Sequence, residues 1–253
     1  MKKITGLLAF LLLCVMLLSS CSIDMGYVMD LVFAPDYKEI TNDIFTKYIE
    51  MNVTVITTHQ SQSATYTSQG SGVIYKEDKY YYYCLTNAHV VDPDPDYPNT
   101  SYVVTDCYRE SHMAILLNSD RTYDLAVIKF QKGEEPLCVA ELANRDPLAK
   151  EDVIILGTPN GLVNSVTYGD VYKYGTVGMT DEDGKDDTTV EFPVIWHNAP
   201  MWDGASGSVL LNTDMKLVGI NYAVSVDDDG YFVFGYAISV SKVREYLEKY
   251  KLK

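Results

Sequence analysis

The chain contains 253 residues, with 35 acidic and 20 basic side chains, a formal charge of −15 and 47% apolar residues. This composition is that of an ordinary globular protein of one or two domains, and it excludes disordered and collagen-like chains. The negative charge argues against a nucleic-acid partner, because phosphate binding requires a basic surface. The 21 tyrosines favour half-buried β-strands, on which aromatic side chains pack well.

The first twenty residues have the pattern of a secretory signal peptide. Two lysines at positions 2 and 3 precede an uncharged apolar run over residues 4–18. That run is shorter than the roughly 20 residues of a membrane-spanning helix, so a cleaved signal is favoured over an uncleaved anchor. The tetrad Leu18-Ser19-Ser20-Cys21 resembles the bacterial lipobox, which implies lipidation of Cys21. We therefore expect a lipid-anchored protein of the bacterial cell envelope, outside the cytoplasm.

The next part of the chain, residues 21–50, is predicted to be a tether that leads into a short helix or an irregular segment near residues 37–48. From residue 51 onwards, short apolar runs of period two alternate with turn-forming residues. The first set of predicted strands is 53–58, 72–76, 80–85, 102–107, 113–117 and 125–130. The second set is 153–156, 165–172, 190–196, 208–212, 217–224 and 231–238. Two sets of six strands predict an all-β protein with two antiparallel barrels or sandwiches, over residues 51–140 and 141–253.

The end of the chain changes period. Apolar residues recur at helical spacing at Val240, Val243, Tyr246, Leu247 and Tyr250, which predicts an amphipathic helix that caps the second set of strands. Acidic stretches at residues 181–187 and 227–229 lack the ligand spacing of a calcium-binding loop and are predicted to be solvated loop tips.

Outside the signal and Cys21, the chain has three cysteines: Cys84, Cys107 and Cys138. An odd number leaves at least one thiol without an intramolecular partner, and no C-x-x-C spacing indicates zinc or thioredoxin-type chemistry. A Cys84–Cys107 disulfide is one hypothesis, and burial of these residues as small apolar side chains is the alternative.

Three short segments hold the candidate catalytic residues. His89 follows an apolar run, Asp124 precedes another, and Ser206 lies between two glycines. In a triad of these residues, His89 would act as general base and then general acid, while Asp124 would hold its tautomer and Ser206 would be the nucleophile. The backbone N–H groups of Gly204 and Ser206 are the natural donors to a tetrahedral oxyanion.

The order His, Asp, Ser and the motifs around it resemble the protease domain of HtrA/Deg-type trypsin-like serine peptidases. The similarity extends over about residues 50–247, and the matching segments are 70–74, 85–91, 124–128, 156–161, 204–208 and 218–221. The resemblance implies two perpendicular six-stranded β-barrels (chymotrypsin-like) with the triad in the cleft between them. It also implies the triad roles of His89, Asp124 and Ser206 and the oxyanion role of Gly204 with Ser206.

The chain departs from the family pattern in several places. HtrA proteins usually carry PDZ domains after the protease, but this sequence stops soon after its last helix, so we expect no PDZ-based regulation. Position 208 is a serine where the family usually has a second glycine, a form also found in glutamyl endopeptidases. The specificity of those enzymes uses a histidine where this chain has Asn221. Since Ala205 replaces the acid before the serine, zymogen activation through a new N-terminus is not expected.

By the same resemblance, the specificity pocket is lined by residues before the serine and by a later strand. The corresponding residues are Asn198, Ala199, Pro200, Asn221, Tyr222, Ala223 and Val224. None of them is acidic, so cleavage after Arg or Lys is disfavoured and small or medium aliphatic side chains are expected.

These features predict a serine endopeptidase that acts on polypeptides and requires no metal or organic cofactor. The alternative is a catalytically inactive trypsin-fold lipoprotein that serves as a binding or scaffold protein, since a fold does not determine a function. An α/β-hydrolase is excluded, because its histidine follows the serine and this chain has no histidine after His197. The oligomeric state stays open.

Overall fold

The computed structural model describes residues 37–178 and 190–253. The predicted signal peptide (1–20), the predicted lipidation site Cys21 and the acidic stretch 181–187, predicted to be a loop tip, lie outside these residues. The chain divides into an N-terminal unit that ends at Asn42 and a compact unit over residues 43–253. Of the first unit, residues 37–42 are described, and they begin the helix α1 (Tyr37–Thr46). A 3₁₀ turn (Tyr48–Met51) then leads into the first strand.

The first β-barrel is closed by six antiparallel strands. They are β1 (Asn52–Gln60), β2 (Thr65–Glu77), β3 (Tyr81–Thr86), β4 (Asn99–Thr105), β5 (Ser111–Asp120) and β6 (Leu125–Gln131). The order around the barrel is β1-β2-β3-β6-β5-β4. The side chains that fill it include Val55, Ile74, Cys84, Val104 and Phe130, all completely buried.

The second barrel repeats this architecture with the order β10-β11-β12-β9-β8-β7. Its strands are β7 (Asp152–Gly157), β8 (Ser165–Gly175), β9 (Val194–His197), β10 (Val209–Leu211), β11 (Leu217–Val226) and β12 (Phe232–Ser239). Ile154, Leu156, Ile195 and Ile238 are among its fully buried residues. The sequence-based prediction of two six-stranded barrels is thus confirmed.

The C-terminal helix α3 (Val240–Lys249) follows β12, as predicted from its apolar period. Val240, Val243, Tyr246 and Leu247 are buried, whereas Tyr250 is half-buried. The Tyr246 hydroxyl donates to the backbone carbonyl of Asn118 in β5 at 3.3 Å. The helix therefore contacts the first barrel although it follows the last strand of the second.

The cysteines do not form the Cys84–Cys107 disulfide that the sequence left open. Cys84, Cys107 and Cys138 are free thiols. Cys84 lies on β3 with its side chain completely buried in the core of the first barrel, and this burial raises the pKa of its thiol. Cys84 is therefore packed in the core as a small apolar residue, which is the alternative to the disulfide.

The acidic segment 227–229 is an exposed turn between β11 and β12. Asp227 Oδ1 accepts the backbone N–H groups of Asp229 and Tyr231 at 3.1 and 2.8 Å, so this carboxylate stabilises the turn itself. Among the described residues, no helix is long and apolar enough to cross a membrane.

Candidate active site

His89 and Asp124 are brought together by the pairing of two neighbouring strands. At the end of β3, Thr86 pairs with Ala126 near the start of β6. His89 follows β3 in the single-turn helix α2 (Ala88–Val91), and Asp124 directly precedes β6. The antiparallel pairing therefore places the two residues side by side although they are distant in sequence.

The imidazole of His89 is oriented by a buried carboxylate. His89 Nδ1 lies 2.8 Å from Asp124 Oδ2, and the His89 backbone N–H donates to Asp124 Oδ1 at 3.0 Å. Asp124 is only 3% exposed, and Asn87 Nδ2 donates to its backbone carbonyl at 2.8 Å. A carboxylate acceptor at Nδ1 favours the tautomer that carries its proton there, which leaves the lone pair of Nε2 free to accept a proton.

Ser206 lies in the turn before β10, against the first barrel. Its backbone carbonyl accepts a hydrogen bond from Ser71 N in β2 at 2.7 Å. A side-chain carbon at Gly70 would lie 2.8 Å from the methyl carbons of Val90 in α2 and 3.0 Å from Ser206 O. The absence of a side chain at Gly70 thus allows the serine turn and the histidine helix to approach the same strand.

The backbone around Ser206 presents two free N–H groups. The carbonyl groups of residues 203–206 all accept a hydrogen bond. Asp203 O accepts from Asn160 N at 2.6 Å, and Ala205 O accepts from Ser208 N at 2.9 Å. Ser71 binds the other two, with its hydroxyl to Gly204 O at 2.8 Å and its backbone N–H to Ser206 O. The N–H groups of Ala205, Gly207 and Ser208 also have acceptors. Within the part of the chain that the structure describes, those of Gly204 and Ser206 have none.

The direction of the Gly204 N–H follows from the peptide that contains it. Asp203 O points to the backbone of Asn160, and in a trans peptide the N–H points the opposite way. Gly204 has φ of +84°, and Ala205 N donates to Trp202 O at 3.0 Å, as in a type II turn with glycine at its third position. One free N–H group therefore belongs to Ser206 itself and the other to the glycine two residues before it.

The Ser206 hydroxyl is hydrogen-bonded to the backbone carbonyl of Tyr222 at 3.3 Å. Among the described residues, no hydrogen bond joins it to His89. The Tyr222 side chain is 2% exposed, and burial together with the nearby charge of Asp124 raises the pKa of its hydroxyl. The Tyr222 backbone thus contacts Ser206, and its buried hydroxyl lies within range of the Asp124 charge.

The residues predicted to line the substrate pocket occupy different environments. Ala199, Tyr222 and Ala223 are buried, and Pro200 and Val224 are half-buried. Asn198 is exposed, and its amide forms hydrogen bonds with the side chain and backbone of Asp170 at 2.9 and 2.7 Å. The Asn198 side chain is therefore held by Asp170, and its place in the pocket stays a prediction.

Asn221 is completely buried, and its side chain points into the second barrel. Its Oδ1 lies 2.9 Å from His197 Nε2, and its Nδ2 donates to Ser208 Oγ at 3.0 Å. The structure therefore brings a histidine from β9 into contact with Asn221. His197 is completely buried, and this burial lowers the pKa of the imidazole to about 4. The hydrogen bond to Asn221 raises the pKa, but its effect is smaller than that of burial.

One group of side chains has the composition of a metal site. Asp106, Glu110 and His112 lie at the β4–β5 turn with candidate ligand atoms within 4.8 Å of one another. Asp106 Oδ1 accepts the N–H groups of Tyr108 and Glu110, and its Oδ2 lies 2.9 Å from His112 Nε2. These hydrogen bonds indicate that the Asp106 carboxylate stabilises the turn.

Sequence patterns gave no role to two segments that contact the serine turn. One is Ser71, whose backbone and hydroxyl bind two carbonyl groups of the turn. The other is the 3₁₀ turn Pro159–Gly161, which supplies Asn160 N. Both lie in segments that resemble the HtrA/Deg family, but their contacts with the serine turn depend on the docking of the barrels.

The fold and the arrangement of His89, Asp124 and Ser206 define a chain of the chymotrypsin-like class. Residues 70–220 match the trypsin-like peptidase domain family, and the chain belongs to this family.

Among curated proteins, the chain is 34% identical over 196 residues to the serine protease Do-like HtrA of Bacillus subtilis, which covers 75% of this chain and 40% of that protein. It is 30% identical over 185 residues to the periplasmic serine endoprotease DegP of Escherichia coli, covering 72% of this chain and 36% of that one. The match thus spans less than half of these relatives. Among solved structures, the active form of the Rv3671c protease from M. tuberculosis superposes with a TM-score of 0.65 at 21% identity, over 85% of this chain and 87% of that one.

Proposed function

We propose that this protein is a serine endopeptidase that cleaves polypeptides through an acyl-enzyme, with His89, Asp124 and Ser206 as the catalytic triad. The observation that carries this proposal is the pattern of hydrogen bonds around Ser206. Within the described residues, every carbonyl from Asp203 to Ser206 is bonded, while the N–H groups of Gly204 and Ser206 are free. A preorganised pair of donors beside a serine is what stabilisation of a tetrahedral oxyanion requires.

In the first half of the reaction, Ser206 Oγ attacks the carbonyl carbon of the scissile peptide bond. The proton leaves Oγ for His89 Nε2, and Asp124 stabilises the resulting imidazolium through its contact with Nδ1. The carbonyl oxygen becomes an oxyanion and accepts hydrogen bonds from Gly204 N and Ser206 N. The carbon–nitrogen bond then breaks as His89 returns the proton to the leaving amine.

In the second half, water replaces the amine. His89 removes a proton from the water, the resulting hydroxide attacks the ester carbon, and a second oxyanion forms at the same donors. The ester bond breaks, and the proton passes from His89 to Ser206 Oγ. The proposed chemistry uses groups of this chain and water alone.

The proposed specificity is for small or medium aliphatic side chains on the acyl side of the cleaved bond. Ala199, Ala223 and Val224 offer apolar side chains, and the pocket segments contain no acid. A positively charged Arg or Lys side chain would find no counter-charge in them, and its burial without a partner is costly.

The test is labelling of the full chain, purified in detergent, with a fluorophosphonate, followed by digestion of casein. The wild type should label and cleave, whereas Ser206→Ala should abolish labelling and His89→Ala should slow it at least about 10³-fold. The cleavage sites, mapped by mass spectrometry, should follow small or medium aliphatic residues, and a dominance of Arg or Lys would exclude the proposed specificity.

The competing function is that of a non-catalytic binding or scaffold protein with a trypsin-like fold. A folded wild type that neither labels nor cleaves casein would favour this alternative. The long contact of the Ser206 hydroxyl with Tyr222 O, in place of His89, is the specific observation in its favour. Catalytic hydrogen bonds are often loose in the absence of substrate, and for that reason we prefer the enzyme.

We further propose that the protein is held outside the cytoplasm by lipid on Cys21 and takes part in protein quality control there. The signal-like N-terminus and the lipobox-like tetrad support the anchor, and the periplasmic location named for DegP supports the compartment. Cells fed labelled palmitate should label the wild type and the control Cys14→Ala, but not Cys21→Ala. Label on Cys21→Ala would refute lipidation at this residue.

A further inference from the structure

Ser71 connects the first barrel to the serine turn of the second. It lies in β2 and is completely buried. Its backbone N–H donates to Ser206 O at 2.7 Å, and its hydroxyl donates to Gly204 O at 2.8 Å. The same hydroxyl accepts the N–H of Thr158 at 2.9 Å. Three polar contacts of one residue therefore cross the interface between the barrels.

Ser71 is itself held in place from the first barrel. Thr86 Oγ1 donates to Ser71 O at 2.8 Å. A side-chain carbon at Gly207 would collide with Ser71 O and lie 2.5 Å from Thr86 Oγ1, so glycine at 207 allows the serine turn to pack directly on this pair. The contact is a close backbone approach and leaves little freedom for the turn.

The carbonyls that Ser71 binds belong to the peptides 204–205 and 206–207, which are directly next to the peptides that carry the two free N–H groups. Ser71 holds the carbonyl groups of Gly204 and Ser206, which are the residues whose N–H groups are free. The hydroxyl bond to Gly204 O is the contact from the first barrel that a side-chain substitution removes. Without it, the 204–205 peptide loses one of its two hydrogen bonds and keeps only that of Ala205 N to Trp202 O.

We propose that Ser71 is a positioning residue for the oxyanion donors: its hydroxyl, supplied by the first barrel, fixes the 204–205 peptide, which links the peptides that carry the Gly204 and Ser206 N–H groups, so that both N–H groups face the substrate carbonyl. This inference rests on the proposed peptidase function. It assigns a role in catalysis to a residue outside the triad and makes formation of the oxyanion site dependent on the docking of the two barrels.

The test measures the rate of fluorophosphonate labelling as a function of probe concentration, which separates the maximal rate from the concentration at half-maximal rate. Loss of a single oxyanion donor costs about 10²–10³-fold in such reactions. Ser71→Ala keeps both donors but releases the 204–205 peptide that links them, so we expect a fall in the maximal rate of at least about tenfold with an unchanged half-maximal concentration. Ser71→Cys, which keeps the size of the side chain but donates weakly, should behave similarly. Ser71→Thr, which keeps the hydroxyl, should recover much of the rate.

The matched control is Thr54→Val. Thr54 Oγ1 also donates across the interface, to Thr158 Oγ1 at 3.2 Å, but it does not touch the serine turn. It should lose stability without a comparable loss of maximal rate. The inference is overturned if the folded Ser71→Ala and Ser71→Cys variants keep the wild-type maximal rate, or if Thr54→Val slows labelling equally.

The two proposals fail in different ways. If the wild type does not label, or labels independently of Ser206, then the peptidase function fails and the role of Ser71 fails with it. If the wild type labels at Ser206 but the rate does not depend on Ser71, then only the positioning role is lost.

Discussion

Gly204 provides one of the two free donors, and its conformation depends on the absence of a side chain. Its φ of +84° lies in the left-handed region. A Cβ there would lie 3.0 Å from Thr158 O and 3.3 Å from Asn160 N, so an alanine would be both strained and crowded. The crowding falls on the backbone that holds Asp203 O, which in turn directs the Gly204 N–H.

Substitution of Gly204 separates the cost of strain from the loss of the donor. Gly204→Ala should lower the free energy of unfolding by about 1–2 kcal/mol and slow fluorophosphonate labelling about 10²-fold, because the turn must shift to relieve the contact. Gly230→Ala is the matched control: its φ is +82°, but no atom lies within 4 Å of the added carbon. The control should show a similar loss of stability in urea with a normal rate. A wild-type rate for Gly204→Ala would contradict the role given to this N–H.

Strands could be predicted from sequence where their own side chains carry the pattern. Each of the twelve predicted strands overlaps an observed one, because apolar runs between turn-forming residues match strands packed in a barrel. The prediction was poorest where another part of the chain determines the structure. β2 begins at Thr65, well before the predicted residue 72, because its exposed polar half pairs with β1 from Gln60 onwards.

Two short elements also differ from the sequence-based prediction for local reasons. The predicted strand 190–196 begins only at Val194 in the structure, directly after Pro193. Proline has no N–H to donate to a neighbouring strand, and this explains the late start. The helix α2 that carries His89 is a single turn, too short to produce a helical period, and so the sequence indicated only a turn at this place.

The candidate triad was accessible to sequence analysis because each member has a short motif and the chain order is informative. The positions of Ser71 and Asn160 beside the serine turn were not, because both depend on how separate segments pack. Ser71 meets Gly204 across 133 residues of sequence, and no local pattern encodes this contact. The Asn198 and Asn221 side chains likewise depend on partners in other strands.

Elements of both barrels are connected by polar groups at and around the site. The helix α3 reaches the first barrel through Tyr246 and through Tyr250, whose hydroxyl donates to Asp120 Oδ2 at 2.7 Å. Elsewhere, Asn52 Nδ2 in β1 donates to Asn164 Oδ1, just before β8, at 3.0 Å. Such bonds add direction to apolar packing, because a hydroxyl or amide without its partner would be left unsatisfied. The relative position of the barrels, and therefore the geometry of the site, is specified by directional contacts.

The stability of the protein should depend on pH through the buried His197. The ordinary pKa of a histidine is 6.5, whereas burial lowers the pKa of His197 to about 4. Between these pH values the unfolded chain binds a proton that the native protein does not. The free energy of unfolding therefore keeps its full value with respect to this group above pH 6.5. It decreases by on the order of 3 kcal/mol as the pH falls towards 4.

Urea unfolding between pH 4.5 and 7.5 tests this dependence against the variant His197→Gln. Glutamine still has a polar group that can reach Asn221, but it does not titrate. The free energy of unfolding of the variant should therefore change less over this pH range than that of the wild type. The carboxylates that begin to titrate at the acidic end are the same in both proteins, and the difference between the curves isolates the histidine. Parallel curves would show that His197 has a similar proton affinity in the native and unfolded states, in conflict with its complete burial beside Asn221.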